Sequence, residues 1–457
     1  MFWGVIGYVL VQLAIGAFVS RRIRTESDYI LAGRRLGYPL AIFTVFATWF
    51  GAETCIGAAG AIYESGLSGG TADPFGYALC LFFMGAVFAA PLWRRKLTTI
   101  ADLFRDRYSP GVERLAVLLM VPTSLLWAAA QIRAFGQVLS ASSGIEVPMT
   151  ITIAAAAVIA YTVGGGLLAD ALTDIVQGVA VMIGLGILLF VVLGDGGFEA
   201  LMAVEPSRFQ LFGGGEVPLI EVIESWAIPI FGSVVAAELV GRVIATRTQT
   251  IARNACLIAS GLYLAVGVIP VVLGLIGAQL MPGLQHPEQI LPQLALQKLS
   301  PLLFTLFAGA LVSAILSTVD SCLLVSASLV SHNIVVPLRP EMTEKMKVRV
   351  ARAGVLVFGI LAYGMALSAE GVYALVEQAS AFGSAGIFVI VAFGLFSPVG
   401  RAKSAFAALV VGTVVWIVGS YGLALPYAYL AALGLSTIAY LLVAALERQA
   451  VLEPTLN

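Results

Sequence analysis

A run of hydroxyl and carboxyl side chains lies within a long apolar stretch near residue 317. Ser313, Ser317 and Ser321 repeat every four residues there, and Thr318 and Asp320 border the same stripe if the stretch is helical. A small alkali cation prefers oxygen ligands, and neutral oxygens suffice for reversible binding. Ser313 alone is explained by close packing of small residues between helices. Ser317, Thr318 and Asp320 together predict a cation site.

A second polar group interrupts an apolar stretch near residue 50, where Glu53 and Thr54 follow Gly51. Glycine weakens a helix in its middle. A broken helix offers free carbonyls to a cation and a positive N-terminus to an anion. Pro229 and Gly232 interrupt another apolar stretch in the same way. Two interruptions at matching positions indicate an inverted repeat, although glycine is common in membrane helices generally.

Arg133 is a basic side chain inside an apolar stretch. A guanidinium in a membrane needs an anion or several carbonyls as partners. One interpretation is a bidentate clamp on a substrate carboxylate. The other is an internal ion pair with Glu53 or Glu377, and the sequence leaves both open.

Three more carboxylates, those of Asp170, Glu224 and Glu238, fall close to the ends of apolar stretches. We expect them to face water there, because a carboxylate within a membrane is costly. Asp174 falls deeper in its stretch and is a candidate functional group.

The elements that must position these side chains are transmembrane helices. Of 457 residues, 60% are hydrophobic and only 11% are charged, whereas about a quarter of the residues of a soluble domain are charged. A membrane-spanning helix needs about 20 mostly apolar residues. This criterion predicts an all-α membrane protein with about 13 spans, at residues 1–20, 36–64, 74–95, 112–140, 146–164, 170–194, 219–244, 255–281, 300–333, 348–368, 371–396, 403–421 and 426–446.

The basic residues predict how these spans are oriented. If the 13 spans alternate, all but three of the 25 lysines and arginines fall on one side of the membrane. Only Arg208 and Lys298 fall on the other side, and Arg133 falls within a span. Cytoplasmic loops carry the excess of positive charge. We therefore predict a multi-pass protein of the cell membrane with its N-terminus outside and its C-terminus in the cytoplasm.

The loops between the predicted spans are too short for a separate soluble domain. Residues 1–457 are therefore predicted to form a single transmembrane domain, with repeat 1 at about 36–194 and repeat 2 at about 219–396. Accessory helices are expected within 1–20 and 403–446. The sequence contains no P-loop and no evident nucleophile–base pair or metal cluster, so we predict a protein that is not an enzyme.

Five segments, taken in order, resemble motifs of the sodium/solute symporter family. Residues 28–37 resemble the family's DYxLAGRxLG, residues 161–167 its YTxxGGL and residues 172–177 its TDxxQ. Residues 242–253 resemble its RxxA…AR loop, and residues 313–321 resemble its SAxxSTxxS sodium motif. The resemblance covers nearly the whole chain. It implies the broken-helix fold of this family, with spans 2–6 and 7–11 as two inverted five-helix repeats.

The resemblance also implies a Na⁺ site between spans 2 and 9. Its ligands would be the carbonyls of Ala47, Phe50 and Ala314 and the hydroxyls of Ser317 and Thr318. Some family members hold a second cation near the aspartate of TDxxQ. The corresponding residues here are Asp174, Ser317, Asp320 and Ser321. Asp320 departs from the family, which often has a hydroxyl there. A second carboxylate could strengthen this cation site or make it proton-binding, and the sequence leaves both open.

By position, the same resemblance implies a substrate pocket near the two interrupted spans. Its predicted lining residues are Trp49, Glu53, Thr54, Gln131, Arg133, Phe231, Ser233, Gln378 and Phe382. Residues 75–81 and Ser380 are expected beside them. If Arg133 is a clamp, the solute bears a carboxylate, as an organic acid, an acidic sugar or an amino acid does.

The resulting functional prediction is sodium-coupled symport of a small organic solute into the cytoplasm by alternating access. Na⁺ is the coupling ion, and the partners are the solute, sodium and the lipid bilayer, with no nucleic acid and no obligate protein partner. Two alternatives remain: a proton-coupled symporter of the same fold, using Asp174, Asp320 or Glu53, and a solute sensor that does not transport.

Overall fold

The computed structural model describes residues 7, 25–164, 167–213, 217–369 and 371–452. Within these ranges the chain is helical almost throughout, and an isolated bridge joins Leu36 to Thr246. The predicted all-α class is confirmed. Apart from Gly7, the predicted first span lies outside the described residues.

The described ranges contain 21 α-helices, which we number in chain order. Short 3₁₀ and π segments join several of them. The helices are α1 Glu26–Leu31, α2 Tyr38–Trp49, α3 Ala59–Ser65, α4 Tyr77–Phe83, α5 Ala89–Arg94, α6 Ala101–Arg107, α7 Pro110–Ser143, α8 Val147–Gly164, α9 Leu167–Val192, α10 Phe198–Met202, α11 Leu219–Ala227, α12 Ala237–Ile244, α13 Gln249–Leu280, α14 Ile290–Lys298, α15 Pro301–Val330, α16 Val336–Leu338, α17 Glu344–Ser368, α18 Val372–Ala381, α19 Ser384–Phe396, α20 Ala402–Ile417 and α21 Ala428–Leu452.

Eight helical runs in the described ranges are long and apolar enough to cross a membrane. The number rises to ten if each of two bent helix pairs counts as one span, and α2 and α8 provide shorter apolar helices. A multi-pass architecture is therefore supported. The count of 13 spans, their orientation and their division into two repeats remain predictions.

The first interrupted span breaks directly after α2. Phe50 leaves the helical conformation, with φ −83° and ψ 77°, and helix resumes as a π segment at Glu53–Ala58 that leads into α3. Gly51 lies at the break, and a Cβ added to it would be only 2.6 Å from Oγ1 of Thr318 on α15. Only glycine therefore permits this close approach, which explains the position of the break.

The second interrupted span breaks between α11 and α12. A π segment at Ile228–Gly232 ends α11, and the two halves of the span are bent by 42°. A Cβ added to Gly232 would lie 2.1 Å from the carbonyl oxygen of Ser380, so the break packs against α18. Both interruptions predicted from glycine and proline are found.

Helix α15 lies at the centre of the bundle. In its most apolar window 78% of the residues are buried, compared with 28% for α17 and α21 at the periphery. It packs against α7, α9 and α17. Because its polar side chains are shielded from both lipid and water, they must find their partners inside the protein.

Candidate functional site

Thr318 joins the break in the first interrupted span to α15. Its Oγ1 lies 3.2 Å from the carbonyl oxygen of Ala47 and 3.3 Å from that of Ala314. Phe50, at the break itself, is fully buried and non-helical. The hydroxyl of Thr318 therefore joins three of the five predicted sodium ligands, and a fourth, Phe50, lies three residues after Ala47. Hydroxyl and carbonyl oxygens at this spacing are suitable ligands for a small cation.

Ser317 points to a neighbouring carboxylate. Its hydroxyl donates a short hydrogen bond to Oδ1 of Asp174 on α9, and the hydroxyl of Thr44 donates to Oδ2 of the same residue at 2.5 Å. All three side chains are buried. The predicted second cation group thus gains Thr44, which lies on α2 one turn before Ala47 and was not predicted.

Ser321 and Asp170 form a third polar layer with Arg242 of α12. Arg242 donates short hydrogen bonds to both residues and forms a buried ion pair with Asp170. The Ser321 hydroxyl also donates to Oδ2 of Asp170 at 3.0 Å and to the carbonyl oxygen of Ser317 at 2.9 Å. Of the predicted second-site residues, Ser321 therefore belongs mainly to this layer.

Asp320 lies beside these layers, hydrogen-bonded to Thr162, and its Oδ2 has no hydrogen-bond partner among the described residues. The carboxylates of Asp170, Asp174 and Asp320 are close enough to interact electrostatically, and Arg242 compensates only part of their charge. A buried, incompletely neutralised group of this kind favours a bound cation or a proton.

The expectation that Asp170, Glu224 and Glu238 face water is wrong, because all three are buried. Asp170 is neutralised by Arg242. Glu224 accepts hydrogen bonds from the backbone N–H groups of Tyr429 and Leu430, at the start of α21. Glu238 accepts one from the hydroxyl of Ser124. Each group is stabilised inside the protein by partners from distant parts of the chain.

Gln131 of α7 fastens the first helix break. Its Oε1 accepts a hydrogen bond from the backbone N–H of Ala52 at 2.9 Å, and its Nε2 donates to Oε2 of Glu53 at 2.5 Å. Glu53 is 1% exposed, and its other oxygen, Oε1, has no hydrogen-bond partner among the described residues. Gln131 therefore provides a hydrogen bond to one oxygen of the buried carboxylate and none to the other.

Asp73 is a buried carboxylate at a third break, where it leaves the helical conformation just before α4. Oδ2 accepts a hydrogen bond from the hydroxyl of Thr54 at 2.8 Å, and Oδ1 accepts one from the hydroxyl of Tyr263 at 3.0 Å. These two hydroxyls also lie 2.8 Å apart. The network connects α4, α13 and the first interrupted span.

Three aromatic rings pack between these polar groups and the bundle interior. The rings of Trp49 and Trp127 stack with centroids 4.4 Å apart, and the ring of Tyr77 lies 6.1 Å from each. The Tyr77 hydroxyl lies 2.9 Å from that of Ser380, which accepts a hydrogen bond from Ser233 at 3.1 Å. The cluster joins both interrupted spans to α18.

A cavity of about 250 Å³ opens beside this cluster. Glu53, Asp73 and Glu377 provide three carboxylates in its wall, and Tyr77 and Tyr373 provide two aromatic rings. Among the described residues that line it, none is basic. A second cavity of about 440 Å³ adjoins the first, and Glu377 lines both.

The predicted substrate residues divide into three groups around these cavities. Glu53 lines the first cavity, and Trp49, Thr54, Gln131 and Ser233 contact its wall residues or their neighbours. Gln378 lines the second cavity. The remaining aromatic predictions pack elsewhere: Phe231 lies against Phe83 and Phe388, and Phe382 lies against Trp416.

Arg133 also lies outside the linings of both cavities. Its Nη1 donates to the carbonyl oxygen of Ala366 at 3.3 Å, and its charge acts on Glu288. Gln131 and Arg133 are two residues apart on α7, which places them on nearly opposite faces of a helix. Since Gln131 faces the break, Arg133 faces away from it.

Sequence reasoning missed Asp73, Tyr263 and Arg242 as members of the site. Asp73 lies between two predicted spans, directly before Pro74. Its signal was an acidic residue at the start of an apolar run. Tyr263 and Arg242 are single polar residues within or beside apolar helices, and only the tertiary structure gives their partners.

Residues 29–412 match the model of the sodium:solute symporter family. The chain belongs to this family. The five motifs that predicted the membership lie within the matched segment or at its edge.

Relatives of this symporter-family chain include transporters of different solutes. It is 30% identical over 402 residues to the high-affinity choline transporter 1 of Drosophila melanogaster, a match that covers 82% of this chain and 63% of the fly protein. The chain therefore spans less than two thirds of that relative's length. It is 27% identical to the high-affinity proline transporter PutP of Bacillus subtilis (strain 168), with 89% of each chain covered.

Among solved structures, the symporter-family chain matches a Na⁺-coupled sialic acid symporter in a substrate-bound, outward-open state. The TM-score is 0.86 with 18% identity, and 97% of each chain is covered. At this identity the match establishes a shared transporter fold. The relatives named here are transporters, in agreement with the prediction of a protein that is not an enzyme.

Proposed function

We propose that this chain carries a small organic solute into the cytoplasm together with Na⁺, by alternating access. The observation that carries the proposal is the position of Thr318, whose hydroxyl meets carbonyl oxygens of two different helices at a helix break. Family membership supports sodium as the coupling ion. The ligands of the first Na⁺ are the carbonyls of Ala47, Phe50 and Ala314 and the hydroxyls of Ser317 and Thr318.

A second cation binds deeper along α15 in this proposal. Asp174 supplies its charge, and Ser317, Asp320 and Ser321 supply further oxygens from the facing helix. Thr44 holds one oxygen of Asp174 in place. The hydrogen bond between Ser317 and Asp174 links the two cation sites, since Ser317 contributes to both.

Gly51 gives a physical route for coupling between sodium and solute. A Cβ at this position would lie 2.6 Å from Oγ1 of Thr318, 2.8 Å from Oε1 of Gln131 and 3.0 Å from Oε2 of Glu53. The proposed sodium ligand and the cavity carboxylate therefore meet at the same few backbone atoms. Each ligand stabilises the same conformation of the break, which is the condition for positive coupling between two sites.

The membrane potential supplies part of the driving force. One positive charge that moves inward across 100 mV contributes about 2.3 kcal/mol. The low sodium concentration of the cytoplasm acts in the same inward direction. Release to the cytoplasm requires the bundle to close on the outer side and open on the inner side.

The charge of the solute is independent of the proposed coupling between solute transport and Na⁺. A carboxylate-bearing solute was predicted from Arg133 and remains a prediction. It gains no support from the cavity, because Arg133 is not among the residues that line it. The Drosophila relative is named for choline, a cation, and the Bacillus relative for proline, a zwitterion.

Sodium binding to the purified full-length chain tests the proposed coupling ion. The chain is titrated with NaCl at constant ionic strength, with KCl as balance, and tryptophan fluorescence reports binding. Thr318→Ala should weaken the apparent Na⁺ affinity at least about tenfold, which corresponds to about 1.4 kcal/mol. Ser326→Ala is the matched control, because this buried hydroxyl on the same helix donates to the carbonyl oxygen of Cys322, one turn earlier in that helix. The Na⁺ affinity of this variant should stay within about twofold of the wild type.

If Thr318→Ala and Ser317→Ala both bind Na⁺ with the same affinity as the wild type, the proposed site is wrong. Solute binding that responds to pH but ignores sodium would then favour the proton-coupled alternative. Asp320, with one oxygen that lacks a partner among the described residues, would be the first proton carrier to examine in that case.

A further inference from the structure

The wall of the first cavity carries acidic groups without a basic partner among the described lining residues. Glu53, Asp73 and Glu377 contribute three carboxylates, and the lining residues described include no lysine, arginine or histidine. In a cavity with low-dielectric walls, charge of one sign concentrates ligands of the opposite sign and repels ligands of the same sign. This lining therefore favours a cationic solute over a carboxylate.

Glu53 adds a requirement for hydrogen-bond donors. The side chain is almost completely buried, Gln131 donates to Oε2, and Oε1 has no hydrogen-bond partner among the described residues. A carboxylate oxygen only accepts hydrogen bonds, and buried polar atoms in folded proteins nearly always have a partner. A solute that brings an N–H group to this oxygen would complete the network.

Asp73 supplies a second carboxyl group on the same wall. Hydroxyl donors from Thr54 and Tyr263 hold its two oxygens in fixed positions. Each carboxylate oxygen has two lone pairs, so Asp73 retains capacity to accept from a ligand. Two buried carboxyl groups thus line the same cavity: that of Glu53 has one oxygen without a hydrogen-bond partner among the described residues, and that of Asp73 is held by donors.

Aromatic rings complete the set of groups that recognise an organic cation. Tyr77 and Tyr373 line the cavity, and the stacked Trp49 and Trp127 lie directly behind Tyr77. The face of an aromatic ring attracts a cation within about 6 Å of its centroid. Rings alone would suit a quaternary ammonium group, which has no N–H to donate.

We infer that the solute is a small organic cation with N–H donors, a protonated primary amine or a guanidinium, bound between Glu53, Asp73 and the aromatic cluster. The inference rests on the proposed function and specifies the substrate class of its central cavity. A quaternary ammonium would satisfy the charge and the rings but leave Oε1 of Glu53 without a partner. The chain should therefore differ in selectivity from its relatives named for choline.

Two paired ligand series test the inference with the purified full-length chain in NaCl. One is ethanolamine with its mono-, di- and trimethylated derivatives, the last being choline, and the other is 1,4-diaminobutane and 4-aminobutylguanidine with their fully N-methylated counterparts. All members are cations near pH 7, so charge stays constant while N–H donors are removed. We expect melting temperature and direct titration to show at least about tenfold tighter binding of an unmethylated member than of its quaternary partner.

Variants localise the effect to the cavity. Glu53→Gln should weaken binding of the preferred amine at least about tenfold and reduce its advantage over the quaternary partner. Asp73→Asn should weaken both members. Glu238→Gln is the control, since Glu238 is an equally buried carboxylate that is bonded to Ser124 outside the cavity lining, and it should bind the amine as the wild type does.

Binding of the two ligand series to the wild-type protein tests the inference even if a variant fails to fold. Quaternary members that bind as tightly as their amines would overturn the donor requirement, and a response confined to carboxylates or uncharged solutes would overturn the cationic class. If no member of either series binds, the inference is also wrong. Amine binding that ignores sodium would instead leave the substrate class intact and count against the proposed coupling.

Discussion

Arg242 contacts two polar side chains in the interior of the bundle. It is almost completely buried and donates short hydrogen bonds to Asp170 and to Ser321, which itself bonds the backbone of Ser317. The ion pair thus stands one helical turn from the proposed sodium ligands. Its guanidinium provides the buried counter-charge of Asp170.

Removal of Arg242 should destabilise the protein strongly. Arg242→Gln leaves the buried Asp170 without its counter-charge, and breaking a buried pair in this way costs about 3–5 kcal/mol. We expect the melting temperature of the purified protein to fall by several degrees. Addition of Asp170→Asn should recover more than half of the loss, because the double variant no longer contains a buried unpaired charge.

Arg253→Gln is the control for this prediction, since Arg253 is exposed on α13 and should tolerate the change. A double variant that melts below Arg242→Gln alone would show that Asp170 is stabilised by groups other than Arg242. The layer would then have a different charge balance from the one described.

At the scale of elements, a hydrogen-bonded junction ties α6 to the end of α15. Asp102 of α6 accepts hydrogen bonds from the backbone N–H groups of Thr98 and Thr99 and from the side chain of Asn333. Asn333 also donates to Glu113 at the start of α7. The junction lies at the end of the bundle where most basic residues are predicted, and it holds three elements at fixed distances.

The pKa of Asp102 makes this junction sensitive to acid. Burial alone would raise the pKa, but hydrogen bonds from His332, Thr98 and Thr99 outweigh it and lower the pKa to about 2 from 3.8. A folded pKa below the unfolded one stabilises the protein above about pH 4, and this contribution is lost as the pH falls from about 4 to about 2. The two values correspond to about 2 kcal/mol near neutral pH.

Asp102→Asn should therefore lower the melting temperature at pH 7, and the difference from the wild type should shrink as the pH approaches 3. Asp106→Asn is the control, because Asp106 lies on the same short helix with a largely exposed side chain. Melting curves across this pH range measure both. A difference between Asp102→Asn and the wild type that stays constant down to pH 3 would contradict the ionised, hydrogen-bonded state of Asp102.

At the scale of the whole molecule, features that depend on local sequence could be predicted well. The breaks at Gly51 and at Pro229 and Gly232 follow from the backbone preferences of these residues. The hydroxyl stripe of α15 follows from helical periodicity, which places Ser317 and Thr318 towards the centre of the bundle. Membership of the family was equally visible in five short motifs.

Features that depend on side-chain direction and distant partners were harder to predict. Arg133 was assigned to the pocket with Gln131, although helix geometry separates residues two positions apart. Asp73 was not predicted, because the sequence places it at the boundary of a span. In the structure a third helix break at this position brings Asp73 into the cavity lining. The acidic lining of the cavity becomes visible only when residues from separate elements are brought together.

The most direct test of the account measures the coupling between the sodium site and the cavity. Na⁺ affinity is determined with and without the tightest-binding amine of the panel, and the affinity for that amine is determined with and without Na⁺. Because both sites meet at Gly51, we predict that each ligand tightens the other by the same factor, at least about fivefold. Affinities that are independent of the other ligand would contradict the central claim that one helix break couples the two sites.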